Sequence, residues 1–174
     1  MIAFRHGDPR YPFFWEDGAQ PAARWHAAGE GPVQYLCDTP DGAWAEFLRH
    51  EEIRTPEDLV TVRRALWAID VGDEPRASAE LPREILGGGP ETYRACQAEA
   101  RRLRAGGATG FVAPAAALLP GGARGWRTDG GLQPADSRDG RVIVLFGRRP
   151  ELVGWAATAA GRPRDDVLAK TRYL

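Results

Sequence analysis

The chain has 174 residues, 43% hydrophobic and 27% charged, enough for one substantial core and unlike a disordered segment. Its 23 basic and 24 acidic residues nearly cancel, so no field over the whole molecule favours a membrane surface or direct nucleic-acid binding. "MIAFRHGDPR" lacks the apolar stretch of a signal peptide and no run approaches a membrane span, so the expectation is a single domain over residues 1–174, located in the cytoplasm.

In chain order, "IAFRH" is a short strand cut off by the turn-forming "GDPRYP", and the segment onward to Gly31 reads as a structured loop rich in Gly, Pro and Ala. "VQYLC" alternates and carries β-favouring residues, which predicts a second strand. At "DTPDGAWAEFLRH" the period becomes helical. Thr39 or Asp38 caps, Pro40 suits the first turn, Asp41 complements the dipole, and Ala43, Trp44, Phe47 and Leu48 form an apolar stripe with Glu46 on its flank. "DLVTVRRALWAIDV" reads as one or two strands. Residues 90–105 form the clearest helix, with Tyr93, Cys96, Ala100 and Leu103 on one face and Gly106 as the stop. "GFVAP" and "RVIVLFG" are strands, and the Gly- and Asp-rich residues 121–140 between them read as a long mobile loop. The final 25 residues read as a helix and a closing segment. Strands and helices do not alternate steadily, so the fold class is α+β.

Familiar chemical motifs are absent: there is no phosphate loop ending in Gly-Lys-Ser/Thr, no GxGxxG entering a helix, no HExxH and no GxSxG. "LGGGPE" precedes a helix but lacks the Lys and Ser/Thr of a phosphate loop, and a capping turn is the expected reading. His6, His26 and His50 have no metal-ligand spacing, Cys37 and Cys96 are expected to be buried free thiols, and no metal is expected. The basic side chains are almost all Arg, with Lys170 the only lysine; a GC-rich coding bias accounts for this, and some guanidiniums are open to a phosphate-clamping role.

What remains is Arg5 and a trio at equal steps of eleven residues: Arg24 in the loop, Tyr35 on a strand and Glu46 on a helix. "FRH", followed by "ARWHAAGEGPVQYLCDTPDGAWAEF", resembles the RES domain, a family named for its Arg, Glu and Ser. "GFVAPAAAL" and "RVIVLF" are similar to the closing elements of that family. Three positions depart from the pattern. Ala115 stands where the family has Ser, and Ser78 and Ser137, the only serines, lie elsewhere. His6 follows the first Arg where related sequences often have Tyr, and the stretch 121–140 is long and polar.

The resemblance implies an ADP-ribosyltransferase-like core of mixed and antiparallel β-sheets flanked by helices. It also implies a toxin of a type II toxin–antitoxin pair that consumes NAD by cleaving the nicotinamide–ribose bond, as a glycohydrolase or phosphorylase. On that reading NAD is the substrate, and an Xre-type antitoxin covers the active site. Glu46, Arg5 and Tyr35 carry the catalytic assignment; Arg5, His6, Arg24, Trp25, Tyr35 and the Ala115 position carry NAD binding. The chemistry agrees: a carboxylate stabilises a developing oxocarbenium ion, forked guanidiniums suit a pyrophosphate, and an aromatic wall (Tyr35, with Trp25 or Trp44 nearby) suits nicotinamide. Replacing Ser by Ala115 removes a positioning hydroxyl, a loss of about 1–3 kcal/mol, unless Thr109 or a water substitutes. Two further readings stay open: an ADP-ribosyltransferase acting on a protein, nucleic acid or small molecule, and an impaired module that binds NAD or a partner. Homo-oligomerisation is left open.

Overall fold

The computed structural model describes residues 1–14 and 16–174. In chain order the elements are β1 (Ile2–Gly7), β2 (Val33–Cys37), α1 (Pro40–His50), α2 (Pro56–Val60), β3 (Arg64–Asp70), β4 (Ala77–Ser78) and α3 (Arg83–Gly87). After a 3-10 turn at Pro90–Thr92 come α4 (Tyr93–Ala105), β5 (Gly110–Pro114), β6 (Ala123–Thr128), β7 (Leu132–Arg138), β8 (Arg141–Phe146), β9 (Val153–Gly161) and a 3-10 segment at Asp165–Lys170. Seven strands form one mixed sheet in the order β4-β5-β8-β2-β1-β3-β9, antiparallel except where β4 meets β5, and helices flank it, as expected of an α+β chain.

An interior strand, β8, shows why the sheet forms here. The uninterrupted apolar run of β8 serves a strand covered on both sides: Val142, Val144 and Phe146 pack toward α4, Phe111 and Trp25, while Ile143 and Leu145 pack into a cluster with Ala3, Leu36 and Ile69. A third cluster gathers Trp44, Phe47 and Leu48 of α1 with Leu59, Leu66, Leu118 and Val167. Helix α1 starts where the sequence predicts: Thr39 Oγ1 accepts the Gly42 N–H at 3.1 Å and Pro40 occupies the first turn.

Several expectations change. The predicted strand over residues 58–71 begins only at Arg64, because Thr55 caps a short helix through Pro56–Val60 with its hydroxyl accepting from Asp58 N. The polar stretch 121–140 is not a loop: β6 and β7 pair as a separate antiparallel hairpin. Its base is fastened to α1 and its approach, with Arg138 donating to Asp38 and Arg124 N donating to Asp41 Oδ2 at 3.0 Å. The closing segment contains no helix of the predicted kind; "VGWAATAAG" is the edge strand β9 against β3, and a 3-10 turn follows. The segment before Gly31 is irregular as expected, with one isolated bridge between Ala23 and His26; Trp15 lies outside the described residues. Cys37 and Cys96 are buried free thiols. Among the described residues no helix is long and apolar enough to cross a membrane.

One irregularity positions the site. Among the described residues β1 and β2 share a single register pair, Phe4 opposite Cys37, whereas β1 pairs with β3 over six consecutive residues. The two strands splay apart beyond that pair, and Arg5 Nη1 bridges them by donating to Gln34 Oε1 at 3.1 Å.

Candidate active site

The split between β1 and β2 opens a cleft of about 580 Å³. Arg5 and His6 of β1, Arg24 and Trp25 of the loop, Tyr35 of β2 and Glu46 of α1 all line it, so the equal steps of eleven bring loop, strand and helix to one place. Ala115 does not line it. Its neighbours Pro114 and Ala116 do, while the Ala115 methyl is buried in the cluster that holds Cys37, Ala43 and Leu118.

Glu46 faces the cleft half-buried and accepts one long hydrogen bond, from Ala117 N at 3.4 Å. Desolvation raises its pKa above the ordinary carboxylate value, against the opposing pull of Arg49 and Arg24. The remaining acceptor capacity of the carboxylate is therefore available to a ligand.

Three guanidiniums line the same cleft; backbone carbonyls hold two of them and a side-chain amide oxygen holds the third. Arg24 Nη2 donates to Gly88 O at 2.7 Å, and its guanidinium lies 4.9 Å from the centre of the Tyr93 ring. Arg49 donates to Ala116 O at 2.7 Å and to the same Gly88 O at 2.8 Å. Arg5 is held by Gln34, and burial lowers its pKa to about 10, so it remains charged at neutral pH. Carbonyl dipoles orient these groups without neutralising them, and among the described residues no carboxylate forms an ion pair with Arg5, Arg24 or Arg49. The "LGGGPE" turn thus contributes a carbonyl that clamps two arginines, not amides that cradle an anion.

Tyr35 is fixed from behind. His26 Nε2 lies 2.9 Å from Pro21 O and must donate to it, so in the neutral ring Nδ1 accepts from the Tyr35 hydroxyl at 2.8 Å. Burial lowers the His26 pKa, which favours that neutral ring. The Tyr35 oxygen in turn accepts Trp25 N–H at 3.1 Å. With its hydroxyl engaged, Tyr35 offers the cleft its ring. Trp25 is only 2% exposed, with its ring edge-on to Phe111 at 4.9 Å, and Trp44 is buried and absent from the lining. His6 is neutral, its pKa lowered to about 3 chiefly by burial and then by Arg64 and Arg5. Among the described residues its buried Nδ1 has no hydrogen-bond partner, and its ring lies 5.2 Å from Phe47.

Sequence reasoning missed Arg49, His50 and Tyr93, which also line the cleft. Arg49 and His50 stand three and four residues after Glu46, the spacing that places side chains on one helical face, so the signal was present. Tyr93 was assigned to the apolar face of its helix, and only the packing of α4 beside Arg24 brings it to the cleft.

Comparison with known proteins shows the family. The RES domain family model matches residues 2–162. "Toxin Res" of Pseudomonas putida is 43% identical over 65 residues, covering 37% of this chain and 42% of that protein, so the match spans less than half of the relative's length. A chain in the crystal structure of the M. tuberculosis MbcT–MbcA toxin–antitoxin complex superposes with a TM-score of 0.57 at 19% identity, over 91% of this chain and 84% of that one, a likeness of fold. The family match runs over 161 consecutive residues, most of the chain: the chain belongs to the RES domain family.

Proposed function

We propose that this protein is an NAD-consuming enzyme that cleaves the bond between nicotinamide and ribose on an ADP-ribosyltransferase-like scaffold, and that it acts as the toxin of a toxin–antitoxin pair whose Xre-type antitoxin covers the cleft. The observation that carries the reading is the half-buried Glu46 carboxylate in a cleft lined by three guanidiniums with which no carboxylate forms an ion pair among the described residues. A dinucleotide matches that pattern: its pyrophosphate takes the forked donors and its cationic ribosyl end takes the carboxylate.

In the reaction the C1′–N bond of the ribose breaks, and the bonding pair leaves with neutral nicotinamide. Positive charge then spreads over C1′ and the ring oxygen, where ionised Glu46 stabilises it. Water adds to C1′ and releases a proton to give ADP-ribose, or phosphate adds to give the 1″-phosphate. Tyr35, held by His26, supplies a fixed wall for the nicotinamide ring, and Arg5, Arg24 and Arg49 hold the pyrophosphate. The buried Ala115 methyl removes no group from the cleft lining, which favours turnover over an impaired binding module.

The test is expression in bacteria without a neutralising partner, with intracellular NAD and growth followed beside Glu46→Gln, and mass spectrometry of the products formed in vitro. Falling NAD, arrested growth and free ADP-ribose or its phosphate support the reading. A covalent conjugate would assign ADP-ribosyl transfer, and steady NAD with folded protein would refute NAD consumption.

A further inference from the structure

Helix α1 ends in an unusual way beside the cleft. After the cap residue Glu51, Glu52 takes the left-handed conformation, at φ 52°, and Ile53 N donates back to Leu48 O at 3.0 Å. This is the hydrogen bond of a Schellman-type helix end, whose left-handed position glycine fills at least cost. Glu52 is the only non-glycine with positive φ among the described residues. A carboxylate there is penalised a second time, because it meets the negative end of the helix dipole. Nothing in the packing compensates: Glu52 is exposed and, among the described residues, forms no ion pair or side-chain hydrogen bond given by the structure. It nevertheless lines the cleft, two residues past the end of the helix that carries Glu46, Arg49 and His50. Backbone strain at a cleft residue with no structural return marks a functional position.

The charge pattern indicates what that function is. A cleft whose interior presents Arg5, Arg24 and Arg49 without paired carboxylates attracts phosphate groups indiscriminately, and by charge alone it favours a dinucleotide bearing a third phosphate. A carboxylate at the rim reverses this preference, because it accepts hydrogen bonds from the vicinal hydroxyls of a ribose and repels a phosphate placed on one of them. The same device, an acidic residue on a ribose 2′-hydroxyl, separates NAD from NADP in nucleotide-binding folds of unrelated architecture.

We infer that Glu52 is the specificity-determining residue of the cleft, where it binds the unsubstituted ribose diol of NAD and excludes the 2′-phosphate of NADP. This inference rests on the NAD-cleaving reading above.

The experiment measures nicotinamide release from NAD and from NADP by wild type, Glu52→Gln and Glu52→Gly, together with the melting temperature of each. Wild type is expected to prefer NAD in kcat/KM, and both variants to narrow that preference by about tenfold, mainly through a lower KM for NADP. Glu52→Gly is expected to melt at a higher temperature while losing the selectivity, a combination that a purely structural role does not produce. Equal use of NAD and NADP by wild type, or a ratio unchanged in both variants, overturns the assignment of Glu52 and leaves NAD cleavage standing. Release from neither dinucleotide by wild type overturns the NAD reading itself, and this inference with it.

Discussion

Burial and charge at Glu46 act in opposite directions, and burial dominates: desolvation holds its pKa above the usual carboxylate range although Arg49 and Arg24 pull it down. The proposed cleavage needs the ionised form, so the acid limb of the kcat/KM profile should lie above the ordinary value of about 4.3. Replacing Arg49 with Gln should move that limb further upward; a limb at the ordinary position in both proteins would contradict the assignment. The same shift has a stability consequence. A carboxyl whose folded pKa exceeds its unfolded one stabilises the fold only while protonated, and this contribution is lost as pH rises from the unfolded through the folded pKa. Glu46→Gln should therefore gain in melting temperature over wild type as pH rises through that window, and a gap that shrinks would be inconsistent with a desolvated carboxylate. Tyr35 makes a second residue-scale claim. His26→Phe leaves its buried hydroxyl without an acceptor and should cost on the order of 1–3 kcal/mol in chemical denaturation. If Tyr35 is the ring wall, the variant should also raise KM for NAD more than it lowers kcat.

The elements differ in how far the sequence reveals them, for physical reasons. Helix α1 is legible because its cap, its first-turn proline and its apolar stripe agree, and Thr39→Ala should cost about 1 kcal/mol by denaturation. A cost under ~0.3 kcal/mol would mean that packing of Trp44, Phe47 and Leu48 fixes the helix without its cap. "TPED" carries the same signal for α2, yet the β-branched residues after it draw the reading toward a strand. The β6–β7 hairpin has no apolar period, because most of its residues face solvent on both sides. Its glycines resemble loop glycines, but Gly125 is required by a close approach: a Cβ there would lie 1.9 Å from Asp136 O. β9 is rich in Ala, a helix former, and is a strand only because β3 offers it an edge. In the site, Arg5, Arg24, Tyr35 and Glu46 were legible by family pattern and Arg49 by helical spacing. The splay of β1 from β2 and the left-handed Glu52 are backbone events that no side-chain pattern encodes.

For the whole molecule, the three buried clusters lie against one continuous sheet, with β8 contributing to two of them and Cys37 at the end of β2 to the third. We propose that the chain is one folding unit. Thermal unfolding followed by near- and far-ultraviolet circular dichroism should then give coincident single transitions, and two separated transitions would show two units. The charge plan is equally global. A net charge of −1 gives no long-range attraction for a dinucleotide, so on the proposed reading recognition depends on guanidiniums held by carbonyls inside a partly enclosed cleft. The measurement that tests the account most directly is nicotinamide release from NAD by the purified protein, with and without phosphate, beside Glu46→Gln. We predict release by wild type and a loss of about 100- to 1000-fold in the variant, with NAD binding retained. Undiminished release from Glu46→Gln, or none from wild type that binds NAD, would contradict the account.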